Sequence, residues 1–153
     1  MGRYKPVAVL TGLLFVVDLV CSLFARDVFK HSDSAQSIAG LVLWVLIAVI
    51  MCAAAIWWSV RFPMARAVPD LLLALAVSCV LSVLVVPLLH GSNPFGSGAG
   101  FFFFEIWIFL GLGLGGALLG WLLTVAAGKD YRSKALANYT RTVAARPRRV
   151  VKR

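Results

Sequence analysis

The chain alternates long apolar runs with short polar breaks, and four of the runs are long enough to cross a bilayer. They cover residues 6–25, 37–60, 68–89 and 101–127. At 1.5 Å rise per residue, about 20 helical residues match a hydrocarbon core of about 30 Å, so each run spans once. The first break holds Arg26, Asp27, Lys30, His31 and Asp33, whose charges nearly cancel. The second, Arg61 to Arg66, is short, and Pro63 and Pro69 suit a turn followed by a first helical turn. The third, His90 to Gly100, is rich in glycine and serine and carries no Lys or Arg. Pro87 falls near the end of the third run, where a kink costs least. The expected fold is all-α: a four-helix transmembrane bundle over residues 1–128, then a basic, weakly amphipathic tail over 129–153.

Aromatic residues mark the ends of the runs. The second closes with Trp57-Trp58-Ser59-Val60-Arg61, and the fourth opens with four phenylalanines, Glu105 and Trp107 and reaches Trp121 near its other end. Tryptophan and tyrosine collect at membrane–water boundaries because one end of the ring is apolar and the other polar.

Composition points to a membrane protein. With 61% hydrophobic residues and a mean hydropathy of +0.93, a 153-residue chain has more apolar surface than a soluble fold of this size can hide. The first run, preceded by Arg3 and Lys5, has the outline of a signal peptide, but Asp18 within it and three further runs favour a retained helix. Cys21, Cys52 and Cys79 lie in apolar runs without CxxC spacing and read as small buried residues.

The formal charge is +9, yet charged residues are only 14% of the chain, so the basic character is concentrated. Nine of the fifteen Lys and Arg follow Gly128. Placing both termini in the cytoplasm puts thirteen cations inside and only Arg26 and Lys30 outside, as the positive-inside rule prefers. The expected location is a bacterial plasma membrane. In the tail, Tyr131, Ala135, Leu136, Tyr139 and Val143 recur at near-helical spacing among cations, which predicts a helix along the inner leaflet that stops before Pro147. Arg146, Arg148, Arg149, Lys152 and Arg153 then form a polybasic end whose expected partner is anionic phospholipid headgroups rather than nucleic acid.

Asp18 is the sharpest candidate for chemistry, because an acid inside a span costs at least about 2.5 kcal/mol on insertion scales. Depth counting places Ser82, or Ser78 one turn lower, beside it. Three readings stay open: a structural hydrogen bond, a contact with another subunit, and proton or cation coupling. Glu105 reads as a first-turn acid meeting a helix dipole, or as part of an outer vestibule with Asp18 and His90. Asp70, after Pro69, reads as another first-turn acid.

Gly111, Gly113, Gly115, Gly116 and Gly120 fall on two faces of the fourth run, with GxxxG at 111–115 and again at 116–120. One face is expected to pack inside the bundle, and the other is either a subunit interface or also internal. No catalytic motif occurs, no metal site or cofactor is expected, and the glycine run lacks the preceding strand that a nucleotide loop requires.

A four-span chain with one carboxylate in its first helix is similar to the small multidrug resistance transporters, whose coupling acid also lies there. The likeness rests on Asp18 alone. Members of that family are shorter, use glutamate and lack a basic tail of this length, so no membership follows. The expected function is that of a small non-catalytic membrane protein, an accessory or scaffolding subunit of a larger assembly that associates with other membrane subunits or with itself. The alternative is a proton-coupled or ion-conducting transporter built on Asp18.

Overall fold

The computed structural model describes residues 4–28, 33–89, 91 and 98–144. His31, His90 and the polybasic Arg146, Arg148, Arg149, Lys152 and Arg153 lie outside the described residues. The described chain folds into helices α1 (Lys5–Val28), α2 (Asp33–Arg61), α3 (Met64–Leu89), α4 (Ala99–Ala126) and α5 (Tyr131–Ala144). The first four are long and apolar enough to cross a membrane, consistent with a multi-pass membrane protein.

The start of α3 differs from expectation. The Pro63 carbonyl accepts the backbone N–H groups of Arg66 at 2.9 Å and Ala67 at 3.1 Å, so the helix begins at Met64. Pro63 forms the cap, and Pro69 sits inside the helix instead of opening it. Asp70 is therefore not a first-turn acid; it is buried in the bundle.

The four long helices are arranged as two hairpins, α1–α2 and α3–α4, packed side by side. Connectivity makes α1 and α3 run in one direction and α2 and α4 in the other. The closest pairing is α2 with α4, followed by α1 with α3, and both pairs are parallel. α1 also packs on α2, and α3 on α4, which closes the ring. Among the described residues α1 and α4 make no close backbone approach, whereas α2 and α3 touch across the middle. The core comes from all four helices, with Leu14 of α1, Ile47 and Met51 of α2, Leu75 of α3 and Phe109 of α4 at its centre.

Outside this core the apolar residues face outward. Val9, Val45, Leu72, Leu118 and many others are exposed, and so are Phe101, Phe103, Phe104 and Trp107 at the start of α4. A soluble protein seldom presents apolar surface on this scale, whereas lipid tails solvate it without cost. At the opposite end, the Arg61 guanidinium lies 4.5 Å from the Trp57 ring centroid and that of Arg66 lies 4.6 Å from Phe62. These cation–π contacts place a positive charge and an aromatic plane together where the helices end. This end, which also carries Lys5 and Lys129, is called the basic end below.

α4 terminates sharply. The Lys129 N–H donates to the Thr124 carbonyl at 3.1 Å and the Gly128 N–H to that of Val125 at 2.9 Å, with Gly128 at φ 63°. This is a Schellman ending, in which the left-handed residue is glycine because a Cβ is disfavoured there. The turn separates α5 from α4, so the basic helix is not a continuation of the span. Asp130 then caps α5, its carboxylate accepting from the Ser133 hydroxyl and from the backbone N–H groups of Arg132 and Ser133.

Candidate functional site

Two helix seams hold the residues that the sequence singles out. The first joins α1 to α3. Thr11, Leu14 and Asp18 recur every three or four residues and are buried along one stripe of α1. Ala74, Ser78 and Ser82 form the buried stripe of α3. The Thr11 hydroxyl donates to the Val7 carbonyl at 3.0 Å and also reaches the Ala74 carbonyl of α3 at 3.5 Å. Ser78 is fully enclosed and donates to Leu75 of its own helix at 3.0 Å.

Asp18 is 9% exposed and Ser82 is 5% exposed. The two side chains are neighbours. The Ser82 Oγ nevertheless completes no hydrogen bond of full geometry. Of the two serines expected near Asp18, Ser82 therefore stands beside it, while the Ser78 hydroxyl is committed to its own backbone. The Asp18 stripe puts a polar group in surroundings that cannot hydrate it, so its partners must come from the protein.

Glu105 enters this neighbourhood from α4. Helix α4 begins at Ala99 after Gly98, so Glu105 lies beyond the first turn and is not the first-turn acid expected. It sits on an exposed part of α4, within electrostatic range of Asp18. Cys79 of α3 lies within range of both carboxyl groups. Two acids and a thiol from three helices thus share the half of the bundle away from the basic end. Among the described residues no group of three or more His, Cys, Asp or Glu side chains is placed to hold a metal ion.

The second seam joins α2 to α4 and is made by glycine. A Cβ built on Gly116 would stand 2.2 Å from the Ala48 carbonyl oxygen, and one on Gly120 would stand 2.3 Å from that of Cys52. The hydrogens in those positions consequently point at the two carbonyls, the arrangement of a Cα–H···O contact. The pairs advance together, four residues along each helix, as a parallel crossing requires. Gly113 does a different job: a Cβ there would meet Leu75 Cδ1 at 2.4 Å, so its absence lets the α3 leucine lie against the α4 backbone. Thr124 extends the buried stripe, its hydroxyl donating to the Gly120 carbonyl at 2.8 Å.

Gly111 and Gly115 face the other way. Nothing approaches within 4 Å of a Cβ built on either. Of the two GxxxG motifs, the second is spent inside the bundle and the first is presented outward. The three cysteines are free; Cys79 is buried, and Cys21 and Cys52 are partly so. In α5 the apolar stripe remains exposed at Tyr131, Leu136 and Tyr139.

Comparison with protein-family models, with curated proteins and with solved structures finds no match to this chain.

Proposed function

We propose that this protein is a small non-catalytic subunit of a larger assembly in the plasma membrane, with both termini in the cytoplasm. The outward Gly111-x-x-x-Gly115 face carries this reading. Small residues allow two helix backbones to approach closely in lipid, where van der Waals packing rather than the hydrophobic effect drives association. The glycines of the inner seam demonstrate how such a face is used in this same helix. A second copy of the chain, or the helix of another membrane protein, is the fitting partner. Affinity purification from the native host in a mild detergent tests the proposal. A partner recovered with the wild-type protein and lost from Gly111→Leu or Gly115→Leu supports it. Recovery of the isolated protein alone, repeatedly, counts against it.

A second reading rests on Asp18, which is buried beside Ser82 and within range of Glu105. Intramembrane acids that face protein line ion and proton paths in transporters. Reconstituted proton or cation flux that vanishes in Asp18→Asn would promote this reading above the first.

A further inference from the structure

Two cavities at the basic end share three lining residues. The first is a trough of about 180 Å³ between α2, α3 and α4, walled by side chains such as Met51, Ala67, Leu71, Leu75, Ala117 and Leu118. It opens sideways through Val68, Leu72, Leu114 and Leu118, all of them exposed. Between Leu75 and Met64 it follows α3 for about 16 Å at 1.5 Å per residue. The second cavity, about 280 Å³, lies where the α2–α3 turn faces the start of α5, and Phe62, Val125, Tyr131 and Arg132 border it. Ser59, Met64 and Trp121 line both, so the apolar trough adjoins a mouth that adds Asp130 and Arg132 to its apolar wall.

We infer that this composite cavity binds one anionic phospholipid, with an acyl chain in the α3–α4 trough and the phosphate at Arg132. The shape argues for a chain rather than a helix. A helix is about 10–12 Å across with its side chains and would ride over a trough of this size without entering it. The opening lies on the apolar outer surface of the bundle, where acyl chains are the available solvent.

Charge selects the headgroup. Arg132 borders the mouth, and Lys129 and Lys134 flank it in sequence. The cations of Arg61 and Arg66 are already stacked on Trp57 and Phe62 at the same end. Asp130 also borders the mouth and stays ionised, its carboxylate held by the Ser133 hydroxyl and two backbone N–H groups at the start of α5, but five cations of this end, Arg61, Arg66, Lys129, Arg132 and Lys134, outnumber it. The α5 amides are therefore taken, which leaves the arginine and lysine side chains to meet a phosphate. The site is separate from the outward glycine face and from Asp18.

Native mass spectrometry of the full-length protein in mild detergent tests the inference. The protein is titrated with defined phosphatidylglycerol or phosphatidylcholine, and helicity is checked by circular dichroism. One tightly held phosphatidylglycerol per chain is expected, in preference to phosphatidylcholine. Arg132→Gln should reduce that preference about fivefold, the equivalent of about 1 kcal/mol per cation near a membrane surface. Arg141→Gln, the same charge change on an exposed residue outside the cavity, should leave the preference in place. Val68→Trp fills the trough from its exposed lip and should abolish retention of both lipids, with Ala117→Phe as a second filling variant. Equal losses in Arg132→Gln and Arg141→Gln would reduce the effect to diffuse surface charge and overturn the site. Undiminished retention in a folded Val68→Trp protein, or a lipid-free dimer as the dominant species, would overturn it as well.

Discussion

Substituting the glycines of α4 one at a time separates the two motifs that look alike in sequence. In Gly116→Ala the new methyl carbon would stand 2.2 Å from the Ala48 carbonyl oxygen, and both atoms belong to or adjoin helix backbone. Reaching ordinary contact requires a retreat of about 1 Å or more. No side chain can swing aside, so α4 must lift from α2 and thin the packing around Ile47, Met51 and Phe109. Overpacking of this kind costs about 1–3 kcal/mol. Against it stands the intrinsic helix preference for alanine over glycine, about 1 kcal/mol, which acts equally at every position. Gly115→Ala gains that preference and meets nothing within 4 Å. The two variants should therefore differ by about 1–3 kcal/mol, with Gly116→Ala the less stable. Gly120→Ala, facing the Cys52 carbonyl at 2.3 Å, should behave like Gly116→Ala. Unfolding in mixed micelles with increasing dodecyl sulfate, followed by far-ultraviolet circular dichroism, measures the difference. Coincident midpoints for Gly115→Ala and Gly116→Ala, or a more stable Gly116→Ala, would refute the seam.

Other outcomes follow from single features. Ser82→Ala should change stability by no more than about 0.5 kcal/mol in the same assay, because the buried Oγ completes no hydrogen bond of full geometry; a loss above about 1.5 kcal/mol would make that hydroxyl an indispensable partner of Asp18. The Ser133 hydroxyl and the α5 amides hold the Asp130 carboxyl below its ordinary range, so its support of α5 is present in full above about pH 4 and is lost as pH falls through the depressed value. Amide protection along Tyr131–Ala144, taken relative to the intrinsic exchange rate at each pH, should fall in that acidic window in the wild type, and Asp130→Asn should remove this change in protection. Truncation after Gly128 should leave insertion intact and weaken binding to anionic vesicles in a salt-dependent manner; binding that ignores salt would refute an electrostatic role for the tail.

The spans were legible because hydrophobic length is a property of single segments. Lys5–Val28 and Ala99–Ala126 begin within two residues of the boundaries read from the run of apolar residues. The start of α3 was not, because Pro63 and Pro69 are both compatible with a first helical turn, and only the Pro63 carbonyl bonds decide between them. The candidate site was legible in its residue types and not in its pairings. Gly111-x-x-x-Gly115 and Gly116-x-x-x-Gly120 are equivalent as strings; what distinguishes them is the carbonyl of Ala48 or Cys52, residues with no signal of their own. Choosing Ser82 over Ser78 likewise depends on the register of α1 against α3. The mouth bordered by Arg132 has no signature in the sequence because it is assembled by two turns far apart along the chain.

The pairing of α2 with α4, helices separated in the chain by α3, has a bearing on biogenesis. α2 leaves the ribosome well before the helix that will cover Ala48 and Cys52, so during synthesis its flank must wait in the bilayer uncovered. A nascent chain released early would display that flank to whatever small-faced helix drifts past, including the α4 of a finished neighbour. Closure of the α2 flank therefore waits for the last of the four long helices.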